Sequence, residues 1–187
     1  MSEIIHIGID YGAKKAGTTA ICFLSNNQLK VLISDKGKDA DLFLKNTINE
    51  INPDYVFIDA PLSLPRAYYE GKGDFHYRKC DKELKAMSPM FLGGLTARAI
   101  SIKNELNKFE FFETYPKQLA HIIDKNNYKN NLEEFTSSII NYSNYEIMVE
   151  NLNWHKVDSI LAWLSGYRFI NNKALEVGDE NEGIIVF

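Results

Sequence analysis

Hydrophobic positions in the first sixty residues fall in short dense runs separated by turn residues. Ile4 to Asp10 is an apolar run closed by a carboxylate, Gly17 to Leu24 is rich in β-formers, and Leu29 to Ile33 follows the turn chemistry of Ser25-Asn26-Asn27. Runs of this kind predict a strand and then a hairpin. From Asp39 to Ile51 the spacing changes to a helical period through Leu42, Phe43, Leu44, Ile48 and Ile51, with Asp39 or Asp41 placed to cap or charge the start and Pro53 beyond the end. Tyr55 to Asp59 is again a strand ending in an acid. In a β-β-β-α-β order, a helical crossover sets this fourth strand parallel to the first and beside it.

Beyond Asp59 the pattern loosens. Pro61, Pro65, Gly71 and Gly73 make 60–75 a loop. Helices are predicted near His76–Met87 and Thr96–Leu106, with Gly93-Gly94 between them. Phe109 to Glu113 predicts a fifth strand ending in an acid, the Asn-rich stretch 124–151 a short helix and loop, Trp154 to Ile170 the strongest helix, and Gly183 to Phe187 a last edge strand. With no repeat, low-complexity tract or linker, the chain reads as a single domain, 1–187, carrying 60–108 as an inserted loop and helical segment.

Composition narrows the class. At 45% hydrophobic and 25% charged, the 187 residues can bury a core, which excludes wholesale disorder and a coiled coil. No apolar run approaches the roughly 20 residues of a membrane helix, and no secretory leader is visible at the N-terminus. Cys22 and Cys80 are too few for a disulfide framework or a cysteine zinc site, so a reduced, cytoplasmic protein is expected. The net charge of −4 argues against a general nucleic-acid coat. Residues 66–108 differ, with 9 Lys+Arg against 5 Asp+Glu. A polyanion would meet this segment, where Arg78, Lys79 and Arg98 are candidates to hold phosphate, and Tyr68, Tyr69, Phe75 and Tyr77 to stack on bases. The plainer alternatives are a solvated helical face and aromatics that pack the loop onto the core.

The candidate chemistry lies in the acids. Asp10, Asp59 and Glu113 each close a predicted strand, and ligands of open α/β sheets collect outside the carboxyl ends of strands. Asp158 sits in the last long helix with Trp154, Leu161 and Ala162 as its helical neighbours, beside the apolar stripe. A carboxylate there needs a partner. Several acids brought together call for a divalent cation, and an all-oxygen set favours magnesium or manganese. A turn or cap role is the simpler reading for any one of them. His6 reads as a core residue and His155 as a surface residue.

Ile7-Gly8-Ile9-Asp10-Tyr11-Gly12 resembles the opening strand of the RNase H-like superfamily. Val56-Phe57-Ile58-Asp59-Ala60-Pro61-Leu62, Arg78-Lys79-Cys80-Asp81, Glu113-Thr114-Tyr115-Pro116 and His155-Lys156-Val157-Asp158 narrow the resemblance to a domain-of-unknown-function family of predicted RNase H-like nucleases. It implies an α/β fold with a mixed five-stranded sheet, order 3-2-1-4-5, flanked by helices. It also implies a metal-dependent nuclease using Mg2+ or Mn2+ and a two-metal mechanism on DNA or RNA. Carried over, Asp10 and Asp59 would be the central metal ligands and Asp158 would complete the set. Glu113 would be a fourth catalytic acid, as a ligand or as a group supporting the ligands. The first predicted helix offers only Glu50 at its far end, so no glutamate is assigned there. Two alternatives stay open: a nucleotide-binding protein of the actin and sugar-kinase type, and an inactive adaptor on the same fold. A homo-oligomer is also left open, and no membrane partner is expected.

Overall fold

The computed structural model describes residues 4–187. Strands β1 (His6–Asp10), β2 (Ala20–Ser25) and β3 (Gln28–Ile33) form the predicted antiparallel opening, and helix α1 (Ala40–Ile51) crosses to β4 (Tyr55–Asp59). The carboxylate of Asp39 caps α1 by accepting from the backbone N–H groups of Asp41 and Leu42, and Asn52 ends it in the left-handed region. Four helices follow: α2 (Ala67–Glu70), α3 (Lys79–Leu84), α4 (Pro89–Leu92) and α5 (Gly94–Glu105). After β5 (Glu110–Thr114) come α6 (Pro116–Asp124), α7 (Leu132–Ser143), the two-residue β6 (Glu146–Ile147) and α8 (Trp154–Ile170). Strands β7 (Glu176–Asp179) and β8 (Gly183–Val186) complete the chain.

The sheet has eight strands, not five, in the order β6-β3-β2-β1-β4-β5-β8-β7. The expected order 3-2-1-4-5 is its unbroken centre. The extra strands are β6, which adds two residues beside β3, and the hairpin β7–β8. The hairpin lies parallel to β5 through β8, so β8 is interior and β7 is the edge. The loop 60–75 contains the short α2, and the helix predicted over His76–Met87 shrinks to six residues because Lys85 turns left-handed at its end.

Alternation along β1 divides the core. Ile7 and Ile9 pack with Ile48, Ile58, Ala99 and Ile102 beneath α1 and α5, while the opposite face meets α8, with Leu119, Phe135, Ile160 and Leu161 forming a second cluster. Helix α8 reaches the sheet because Gly8 has no side chain: a Cβ there would strike the Trp163 nitrogen and the Ser159 carbonyl. Among the described residues, no helix is long and apolar enough to cross a membrane.

Candidate active site

Strands β1 and β4 are parallel neighbours in a register that sets Asp10 directly beside Asp59. Adjacent strands lie about 4.8 Å apart, so two carboxylates share one strand edge. Both residues follow the alternation that carries His6, Gly8, Tyr55 and Phe57 toward α8. Asp158 sits in the second turn of α8, buried at 7% exposure. Its field acts on Asp59, as do those of Asp10 and Glu113. Burial first, and then these like charges, hold Asp59 well above the ordinary carboxylate range. Burial also raises Asp158, against the opposing pull of Lys129.

The three aspartates are not equally free. Among the described residues, no hydrogen-bond donor reaches the Asp59 carboxylate. Asp10 is engaged through Oδ2, which accepts from His155 Nδ1 at 2.8 Å. Asp158 is engaged at both oxygens: the Tyr128 hydroxyl donates to Oδ1 at 2.9 Å and Lys129 Nζ to Oδ2 at 2.6 Å. A cleft of about 320 Å³ opens over Asp10 and Asp59, walled by Tyr11, Ala60, Pro61, Met87, Leu92, Leu95 and Tyr115.

Glu113 departs from the expected set. Strand β5 runs one residue further than predicted, to Thr114, and Glu113 pairs with Ile58 rather than with Asp59. A one-residue offset turns a side chain to the other face of a sheet. Its two oxygens instead receive Arg78 Nη1 and Nη2 at 2.6 Å each, and Oε2 also accepts the Leu62 N–H at 3.0 Å. Arg78 has no exposed surface and spends its remaining donors on Asp81 and the Ser63 hydroxyl. Burial works to lower its pKa, but the Glu113 and Asp81 bonds outweigh this and raise it. The expectation that Arg78 holds substrate phosphate is therefore corrected: this guanidinium ties β5, α3 and the loop after Asp59 together.

No family model matches the sequence, and no curated protein matches it. Among solved structures, T. thermophilus RuvC in complex with Holliday junction substrate is similar with a TM-score of 0.51 over 94% of this chain and 99% of that chain, at 10% identity. Thermus thermophilus RuvC alone gives a TM-score of 0.47 at 11% identity, over 94% and 99% of the two chains. The yeast mitochondrial Holliday junction resolvase Ydc2 gives 0.46 at 16% identity, over 92% and 86%. The fold is RNase H-like.

Within this RNase H-like frame the other candidates can be placed. Arg98 on α5 lies 4.7 Å over the Tyr11 ring, and its guanidinium is held by Asp41 and by the Gly12 carbonyl. The Tyr11 hydroxyl donates to the same Asp41 carboxylate at 2.5 Å. Arg98 therefore braces the turn that follows Asp10. Lys79 is exposed, with only a long 3.9 Å pair to Glu83. Tyr68 and Phe75 pack edge to face on each other, and Tyr69 is 69% exposed. His6 is the core residue expected, stacked on Trp163 at 4.5 Å. His155 is at the surface as expected, with 48% of its side chain exposed, yet its Nδ1 reaches Asp10. It lies three residues before Asp158, on the same face of α8, and that spacing was the signal for it. Lys129 carried no local signal at all.

The implied divalent cation can be tested against these donors. Among the described residues, no group of three or more His, Cys, Asp or Glu side chains is placed to hold a metal ion together. The expected triad of Asp10, Asp59 and Asp158 does not form such a group, and Asp158 is held by Lys129 and Tyr128. Asp10 and Asp59 remain. A half-buried carboxylate without a donor among the described residues, beside one with a free oxygen, suits a single hard cation, since magnesium is commonly held by one or two carboxylates plus water and phosphate oxygens.

Proposed function

We propose that the protein is a metal-dependent nuclease that hydrolyses phosphodiester bonds in DNA or RNA, with residues 1–187 acting as one catalytic unit in the cytoplasm. The observation that carries this reading is the Asp59 carboxylate, half-buried, without a donor among the described residues, and set beside Asp10 at the carboxyl ends of two parallel strands. Support also comes from the RNase H-like fold, one solved example of which holds Holliday junction DNA. Asp10 and Asp59 would bind Mg2+ or Mn2+. Such an ion lowers the pKa of water and neutralises charge on phosphate oxygens.

The chain's own residues then have separable tasks. His155 fixes the rotamer of Asp10 through Nδ1. Arg98, Asp41 and Tyr11 hold the turn after Asp10, and Glu113 holds the loop after Asp59 through the Leu62 N–H. Positioning of this kind keeps ligands within the tolerance that catalysis needs. Lys79 is exposed for backbone phosphates, a contact that would position nucleic acid without reading its sequence.

The test is a cleavage screen over single-stranded, duplex and four-way DNA and RNA, with Mg2+ and with Mn2+. Cleavage of at least one substrate is expected, lost in Asp10→Asn. No cleavage of any substrate, combined with no binding of Mn2+, would overturn the reading.

A further inference from the structure

We infer that the Lys129 ammonium supplies the second positive charge of this site, so that hydrolysis runs with one divalent ion, on Asp10 and Asp59, rather than two. The inference rests on the nuclease reading above.

Four observations converge on Lys129. Its ammonium lies 2.6 Å from Asp158 Oδ2, and the Asp158 side chain is only 10% exposed, so the pair is set into the protein. Exposed lysine–carboxylate contacts form and break with little consequence, whereas a pair with one buried partner is held. The ammonium also stands 5.2 Å from the ring centres of both Tyr128 and Trp154, a two-sided aromatic seat for a cation. The backbone at Lys129 is left-handed, with φ of 63°, which a lysine adopts only where its surroundings require it. Finally, the side chain is 44% exposed, so one side of the charge faces solvent, from which a phosphate arrives. Its field also reaches Asp59, where it opposes the effect of the neighbouring acids.

Tyr128 supports the same arrangement. Its hydroxyl donates to the other oxygen of Asp158, so both oxygens of that carboxylate already have a donor, one of them a cation. In the proposed step a water oxygen bonds to phosphorus and the bond from phosphorus to the leaving oxygen breaks. One water proton ends on that oxygen and the other stays on the new phosphate. Lys129 faces the charge that gathers on the phosphate oxygens during this exchange, a task for which preorganised cations are well suited.

Counting ions tests this apart from activity. Mn2+ is titrated by electron paramagnetic resonance into wild type, Lys129→Met, Lys129→Arg and Asp59→Asn, with folding checked by thermal melting. Wild type and Lys129→Arg are expected to bind one ion and Asp59→Asn none. Lys129→Met frees Asp158 and should bind two. Its cleavage rate should fall about a hundredfold at low metal, recover at high metal, and change from first to second order in metal concentration. Two ions in wild type, with the count unchanged in Lys129→Met, would overturn the inference and leave the nuclease reading intact. No ion in wild type, together with no cleavage, would overturn both. Should Lys129→Met fail to melt cooperatively, the wild-type and Lys129→Arg counts still decide.

Discussion

Two clusters of buried charge sit at the same end of the sheet and are built on opposite terms. In the first, Arg78 faces Asp81 and Glu113, and nearly every polar atom is matched: five guanidinium contacts, one of them to the Ser63 hydroxyl, and a backbone donor from Leu62. In the second, Asp10, Asp59 and Asp158 are like charges offset by one lysine and one half-exposed histidine, and Asp59 has no donor among the described residues. A matched cluster has no affinity left for a ligand, so it holds backbone segments in place. An unmatched one stores repulsion that a cation relieves. The contrast assigns structure to Arg78 and chemistry to Asp59, although both are charged and next to the same loop.

Breaking the matched cluster should give the largest effect. Arg78→Met leaves Glu113 and Asp81 as buried anions without their cation, and a loss of about 3–5 kcal/mol is expected in urea unfolding. A loss under about 1 kcal/mol would show that these bonds do not hold the fold. Replacing all three members with apolar residues of similar size should return most of it.

A second measurement uses a buried titratable group at the far end of β1. His6 is lowered to about 4, by burial first, against its Trp163 carbonyl bond. The unfolded chain takes up its proton near 6.5, whereas the folded chain refuses it until about 4. Stability is therefore complete above the upper value and falls as pH drops through this window, by up to about 3 kcal/mol. His6→Gln should flatten that part of the melting profile. An unchanged slope would place the acid sensitivity elsewhere.

The unmatched cluster should respond with the opposite sign. Asp59 binds its proton more readily folded than unfolded, so the metal-free protein loses stability as pH rises from 3.8 through the raised value. Asp59→Asn removes that charge. It should abolish cleavage while stabilising the metal-free protein at neutral pH, because the neighbouring acids no longer repel a charge at this position. Mg2+ should then raise the melting temperature of wild type and not of the variant. Destabilisation by Asp59→Asn would mean that the carboxylate is held by partners after all. The smallest effect belongs to Lys79→Ala, expected to weaken nucleic-acid binding evenly across sequences and reduce the slope of log affinity against log salt by about one.

What could be read ahead of the structure follows from range. Strand β4 and helix α8 have the predicted limits, Tyr55–Asp59 and Trp154–Ile170, because Pro53 and Pro61 bracket the one and a long apolar pattern fills the other. The pairing of Asp10 with Asp59 followed from parallel neighbours in a βαβ connection. Helix α6 was not predicted, although it opens on Pro116, and a proline at the first helical position starts a helix. Strand β7 was missed because Glu176-Val177-Gly178-Asp179 has no apolar run, as is common at a sheet edge. Glu113 lies 35 residues from Arg78 and Lys129 lies 29 from Asp158, where no local period can point to them. Glu113 pairs with Ile58, one residue short of Asp59, a register that no local pattern shows.

Gly8 gives the site one more property. Its missing side chain lets the chain at Ser159 and Trp163 rest on β1, two residues below Asp10 and one residue beyond Asp158. The aperture between the strand acids and the helix acid is thus set by a spacer of zero height that touches no reacting group. A methyl group at this position would act like a shim under a jaw. It would widen the gap while leaving every acid in the sequence, so reach across this site can be tuned from a residue that takes no part in its chemistry.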